Sequence, residues 1–425
     1  MGLDHIYEIR CPVHGFVALN AWEREIIDQP AFQRLKRIRQ LAWTDQVYPG
    51  AMHTRFEHSL GVRHVANLLF DSVVRNSRAL LESDLGYNKT GLDRYRQLVR
   101  LAALLHDVGH SPFSHSSEDL FPERDGGGKK YVHEEYSAAI IRGPLRDVIE
   151  NHRANANYAF SADDVAALIE GSAGAQKGIF WRDLISGQMD ADRMDYLLRD
   201  SHHTGVHYGR YDLHRIVGTV TALRSGENSG LRVGIQEGGW HVAEALVLAR
   251  YAMFTQVYFH KTRVAYDIHI REAMKAMLPN GRFPRPTELD KYLEWDDWKV
   301  LGLLAGGQGG EHGERLTQRK HYRRVNRSNE MMSHRDRECL EKLEERLGSL
   351  LAERVPAGRS KAWYKTDGSD IPVLSEQDGV ARPLSYFSRA VSYLGKHDQV
   401  FLYCRPEDRL EADRIVKEVG GNGLA

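Results

Sequence analysis

At 425 residues the chain is longer than one hydrophobic core ordinarily serves, and its 58 basic and 58 acidic side chains cancel, so no global field draws it onto nucleic acid or a membrane surface. The three cysteines, Cys11, Cys339 and Cys404, are far apart and form no CxxC pair, which argues for a reducing cytoplasm and against a disulfide frame or a thiolate zinc site. No uncharged apolar run reaches the ~18 residues of a membrane span, and the first ten residues do not form an export signal. Histidine is the unusual count, with 21 copies, many crowded between His53 and His207.

From Leu19 to Trp43 the spacing predicts short helices, with Ile26, Ile27, Phe32, Leu35, Ile38 and Leu41 on one face and Pro30 starting one of them. After a loop at Val47 to Thr54, a helix is predicted from about Phe56 to Val74, which places His58 in a first turn. Leu98 to Leu105 is nearly continuous in apolar residues and predicts a buried helix that delivers His106 and Asp107 at its C-terminal end, where Gly109 and Pro112 break the pattern. Glu123 to Lys130, with Gly126, Gly127 and Gly128, is expected to be a mobile loop and lacks the order of a phosphate-binding P-loop. Further helices are predicted at about His133 to Ile141, Ala162 to Ile169, Asp190 to Asp200 and Val242 to Ala276. The expected fold is mainly α. A helical domain spans 1–305, a Gly-rich and basic linker 306–334, and a small α+β region 335–425. That last region carries a charged helix at about Arg335 to Arg354, β-like pieces at Ile371 to Leu374 and Gln399 to Cys404, and a final helix near Pro406 to Val419.

A metal that activates water needs imidazoles and carboxylates converging from different elements, with one position left open. His58, the pair His106-Asp107, and Asp192 can supply such a set from three helices. One histidine ending an apolar helix is more often a hydrogen-bonded core residue than a ligand. The run His106 to His115 is different, because it places three histidines and an aspartate within ten positions after a helix with no other reason to end in charge.

These stretches, with Ile26-Ile27-Asp28 to Leu35, Gln40-Leu41, Tyr48 to Val62, His133-Glu134 and Met189 to His203, resemble the HD-domain superfamily of metal phosphohydrolases. Within it the similarity is to the deoxynucleoside triphosphate triphosphohydrolase branch. The resemblance implies an HD-domain helical bundle and a divalent ion, Mn²⁺, Mg²⁺ or Fe²⁺, on His58, His106, Asp107 and Asp192. It implies a phosphate contact for Arg55, whose planar fork suits a triphosphate. His110, His115 and His133 correspond to active-site histidines, one of them the general acid. Glu118, three positions after His115, is placed to orient that imidazole, and Glu134 to do likewise for His133. Gln40 and Leu41 match a pair beside the sugar and base. Tyr196 and Asp200 follow Asp192 by one and two helical turns and match residues against the deoxyribose, the aspartate facing its 3′-hydroxyl. Core packing is the alternative for Tyr196.

The segment Tyr251 to Tyr266, with Phe254, Tyr258 and His260, resembles a further substrate-binding stretch, in which Lys261, Arg263 and Tyr266 are expected to contact phosphate or base. Asp28 and Lys36 stand where activated members bind a regulatory nucleotide; lysine in place of arginine leaves an activating nucleotide open. The basic run Arg319 to Arg324 is expected to be a solvated inter-domain helix in preference to a single-stranded nucleic-acid contact. The leading expectation is a cytoplasmic, homo-oligomeric enzyme that hydrolyses dNTPs to deoxynucleoside and inorganic triphosphate. The alternatives are a phosphodiesterase or nuclease acting on cyclic nucleotides or single strands, and a nucleotide sensor without turnover.

Overall fold

The computed structural model describes residues 6–171, 178–224, 230–356, 370–394 and 399–420. The chain opens with a hairpin of β1 (Tyr7–Cys11) and β2 (Gly15–Leu19). Two short helices follow, α1 (Ala21–Ile27) and α2 (Pro30–Gln33), the latter with Pro30 in its first turn, where a missing N–H costs nothing. The long helix α3 (Arg55–Leu85) starts where Glu57 accepts the backbone N–H of Thr54 and ends on Gly86 at φ 66°. It packs along α4 (Lys89–Leu105), whose buried residues run almost unbroken from Leu98 to Leu105. Helix α5 (His133–Arg142) and the helices Ala162–Glu170 and Ala191–Thr204 complete the bundle. One core joins Val62, Val65, Leu69, Leu101, Leu104, Ile140, Val165, Met194 and Leu197.

The fold is mainly α, as expected, with small sheets concentrated toward the C-terminus. Strands β3 (Val220–Arg224) and β4 (Leu231–Gln236) were not legible as such. They form a four-stranded sheet with β7 (Pro372–Leu374) and β8 (Ala381–Pro383), in the order β3-β4-β7-β8 and parallel only between β4 and β7. A second sheet, β5-β9-β6, combines Arg323–Arg327, Val400–Cys404 and Leu351–Pro356, all antiparallel. It rests on a separate small core of Val325, Leu343, Leu402 and Val416.

Three expectations change. The stretch Val242 to Ala276 is two helices, Trp240–Met253 and Lys261–Met277, separated by a π-helical turn at Phe254–Tyr258. With no Gly or Pro there, the apolar period runs through the break unmarked. The segment 306–334, expected as a linker, supplies the helix Gly310–Thr317 and strand β5; its basic run is strand from Arg323 onward, with Tyr322 buried and donating its N–H to His269 Nε2 at 3.0 Å. The charged helix stops at Leu347, where Gly348 takes φ 49°, and Arg354 lies in β6 opposite Leu402. Among the described residues no helix is long and apolar enough to cross a membrane.

Candidate metal centre and substrate pocket

The proposed ligands come from three helices: His58 from the first turn of α3, His106 and Asp107 from the end of α4, and Asp192 from the first turn of Ala191–Thr204. Ligand atoms of His58, His106 and Asp107 lie within 4.8 Å of one another. Asp192 Oδ1 approaches both imidazoles, at 3.0 Å from His58 Nε2 and 3.8 Å from His106 Nε2. Its side chain is 36 % exposed, so the corner opens to solvent on that side.

Each imidazole is turned by a bond on its other nitrogen. His58 Nδ1 meets Asp195 Oδ2 at 2.8 Å, and His106 Nδ1 meets the carbonyl of Ala103 at 2.8 Å. That leaves His106 Nε2 buried with no hydrogen-bond partner among the described residues. A buried acceptor aimed at two carboxylates and a second imidazole fits a divalent cation bound by a mixed N/O set. Burial disfavours charge on His58, but Asp192 and Asp195 outweigh it and push the group up to about 9. A metal ion and that proton therefore compete for one lone pair. Asp107 is held well below the usual carboxylate range; burial opposes this, and Arg55, His106 and His110 prevail.

Beside the corner stands a second cluster of His110, His115, Glu118 and His133. Glu118 bridges two imidazoles, Oε1 to His133 Nδ1 at 2.7 Å and Oε2 to His115 Nδ1 at 3.0 Å, while Glu134 stands farther from His133 at 3.4 Å. Glu118, not Glu134, is the closer partner of His133. His133 Nε2 faces Asp107 Oδ1 at 3.9 Å. Burial works against its charge, yet Glu118 and Glu134 push His133 up to about 9, whereas burial, Arg55 and His133 together keep His110 neutral. His110 stacks on His133 with centroids 4.0 Å apart, and His115 is the exposed member, at 62 %.

The loop carrying these histidines holds Phe113 and Ser114 at positive φ, 57° and 54°. Asp297 braces it: Oδ1 accepts the N–H of Phe113 and Oδ2 that of Arg39, each at 2.8 Å. Burial pushes this carboxyl up to about 7. Gly109 permits the tight passage, since a Cβ there would stand 2.2 Å from Ser137 N.

Of the expected phosphate and nucleoside contacts, Arg55 is 3 % exposed and already engaged, its Nε donating to Ser114 Oγ at 2.9 Å and its Nη1 to Asp107. Asp200, two turns from Asp192, accepts from Tyr258 at 2.6 Å and meets His53 Nε2 at 2.7 Å; Tyr196 sits edge-on to Tyr258. The backbone of Gln40 pairs with His53, and its buried Oε1 has no partner among the described residues; Leu41 is buried in the core. The later residues have partners of their own. Tyr266 is fully buried between Trp43 and His321, Arg263 donates to the Tyr258 carbonyl and faces Asp267, and Lys261 is exposed at a helix start. Sequence reasoning missed Asp195, His14, His53 and Asp297 as supports. Only Asp195 left a trace, as a carboxylate three positions after Asp192 and four before Arg199 on one helix.

Residues 55–200 match the HD domain family model and residues 212–355 the HD associated region. The chain therefore carries an HD domain followed by an HD associated region. It is similar to uncharacterized protein MJ1154 of Methanocaldococcus jannaschii, 36 % identical over 266 residues, covering 63 % of this chain and 49 % of that protein. It is also similar to uncharacterized protein YwfO of Bacillus subtilis, at 37 % over 252 residues, 59 % of this chain and 51 % of that one. Human deoxynucleoside triphosphate triphosphohydrolase SAMHD1 matches at 30 % over 234 residues, 51 % of this chain and 36 % of that enzyme. The chain thus spans about half the length, or less, of these three relatives. A crystal structure of a hypothetical protein from Aquifex aeolicus superposes with a TM-score of 0.78 and 28 % identity, over 97 % of this chain and all of that one.

Proposed function

We propose that this chain hydrolyses deoxynucleoside triphosphates to deoxynucleoside and inorganic triphosphate, acting as a homo-oligomer in the cytoplasm. One observation carries the reading. A single helix, Ala191–Thr204, presents Asp192 to the metal corner and, eight residues on, Asp200 to a polar corner lined by His53, Tyr258 and Tyr196. At 1.5 Å per residue the two carboxylates are separated by about 12 Å along the axis, so one rigid element spans a phosphate-cleaving end and a hydroxyl-reading end. The similarity to SAMHD1, an enzyme named for this activity, supports the same reading.

A divalent ion on His58, His106, Asp107 and Asp192 supplies Lewis acidity and an activated water. The protein does the rest. Arg55 keeps Asp107 ionised and aimed, and its charge counters that of the phosphates. His133, charged and fixed by Glu118, is placed to give a proton to the departing 5′-oxygen as water adds to the α-phosphorus and the P–O5′ bond breaks. Asp200 accepts from the sugar hydroxyl, and Tyr196 closes the space a 2′-hydroxyl needs.

The test is product analysis by anion exchange after incubation with Mn²⁺ and each dNTP, alone and mixed. Nucleoside plus triphosphate is expected, and a requirement for mixtures would reveal an activating nucleotide. Cleavage of cyclic nucleotides or oligonucleotides instead would reassign the substrate. Tyr196→Ala should erode discrimination against rNTPs by roughly tenfold or more; unchanged selectivity would leave Tyr196 a packing residue. Size-exclusion chromatography tests the assembly.

A further inference from the structure

Asp195 is the carboxylate behind metal ligand His58, and its surroundings reach farther than the helix it stands on. Both oxygens are doubly engaged. Oδ2 meets His58 Nδ1 and accepts from Arg199 Nε, both at 2.8 Å; Oδ1 accepts from Arg199 Nη2 at 2.8 Å and meets His14 Nε2 at 2.6 Å. His14 belongs to the turn between β1 and β2, 181 residues away in sequence. Its side chain is 3 % exposed and that of Asp195 0 %.

The turn is built to hold that ring. Gly15 takes φ 76°, which lets the chain reverse directly after His14. The N–H of His14 points at Cys11 Sγ at 3.5 Å, the same sulfur that Arg199 Nη2 approaches at 3.4 Å. His64, on α3, packs against the His14 ring with centroids 5.3 Å apart. Opposite them, Gly61 is what admits Asp195 and Arg199 to α3, because a Cβ there would fall 1.8 Å from Asp195 Oδ1 and 2.4 Å from Arg199 Nη2. A carboxylate that only needed to stay charged would be satisfied by the Arg199 fork. The hairpin adds a further donor to the oxygen that does not touch His58, so the carboxylate is held from a second element and does not depend on the Arg199 fork of its own helix alone. The plane of that carboxylate sets the His58 ring, and hence the direction of Nε2 toward Asp107 and Asp192.

We propose that His14 is a positioning residue for the metal centre: through Asp195 it holds His58 in ligating orientation, which makes the N-terminal hairpin part of the metal site. This rests on the metal-centre reading above. The test is Mn²⁺ titration of the full-length chain, by competition with a fluorescent chelator, alongside thermal unfolding of each variant without added metal. His14→Ala is expected to weaken Mn²⁺ binding about tenfold, the lower end of what loss of a ligand's supporting partner costs. His14→Gln, which retains an N–H donor of similar reach, should recover most of that affinity. An unchanged Mn²⁺ affinity in His14→Ala, with only a lower unfolding temperature, would reduce the hairpin to packing and overturn the proposal. Failure of His14→Gln to recover binding while its unfolding temperature is restored would overturn it too, because the donor would then not be what matters; this variant also serves if the alanine variant does not fold. Wild-type protein that binds no Mn²⁺ would instead sink the metal-centre reading itself, an outcome distinct from either.

Discussion

The metal corner and the segment after Tyr251 both carry histidine and arginine, yet the helices that bring residues to the first keep the period their sequence predicts, while the predicted helix of the second is interrupted. At the corner, His58 and Asp192 stand in the first turns of their helices and His106 and Asp107 directly follow the last residue of α4, so each side chain is fixed within a turn of a helix end. After Tyr251 the chain inserts a π turn, which rotates everything beyond it relative to the helix before. Tyr258 thereby reaches Asp200, while Tyr266 turns into the core against Trp43. Local periodicity locates a residue only as far as the next break in its helix.

The comparison can be broken most severely at the corner. Asp107→Ala removes a ligand and the partner of Arg55, so Mn²⁺ affinity should fall beyond the ~10–100-fold that loss of a ligand's supporting partner costs, and turnover should vanish. Retention of either by titration and product assay would remove the site. Glu118→Gln separates chemistry from metal binding: with His133 no longer held charged, kcat should drop on the order of 100-fold while Mn²⁺ affinity stays within about threefold. Equal losses in both would make Glu118 part of the ligand set.

Asp297 tests the brace between the two histidine-bearing regions. Its carboxyl is raised from 3.8 to about 7 by burial, so between those values the unfolded chain releases a proton that the folded chain keeps. Its contribution to stability is therefore full below pH 3.8 and is lost as pH rises to about 7. In urea titrations from pH 4 to 8, Asp297→Asn should lack this decline and cost roughly 1–3 kcal/mol at low pH, because one of the N–H groups of Arg39 and Phe113 loses its acceptor. Parallel pH profiles for the two proteins would show that the group does not titrate there. Tyr266→Phe should do least. Its hydroxyl is buried without a hydrogen-bond partner among the described residues, so stability should hold or rise by up to about 1 kcal/mol, with KM unchanged. A raised KM would return Tyr266 to the substrate.

Sequence by itself determined the mainly helical fold, the order of its motifs, and the placement of His58, His106, Asp107 and Asp192 at helix ends, because hydrophobic period and helix-end signals act over a few residues and survive without tertiary context; that the four meet was an implication of the family resemblance, not of local pattern. It also placed β7 and β9 to within a residue or so. Pairing was beyond it. β4 finds β7 across more than a hundred residues, Asp195 finds His14 across 181, and Asp297 ties Arg39 to Phe113. Such contacts are chosen by which buried polar groups remain to be satisfied once the helices have packed, and no local pattern encodes that choice. The candidate ligands were therefore legible in the chain, and the side chains that orient them were decided only by the fold.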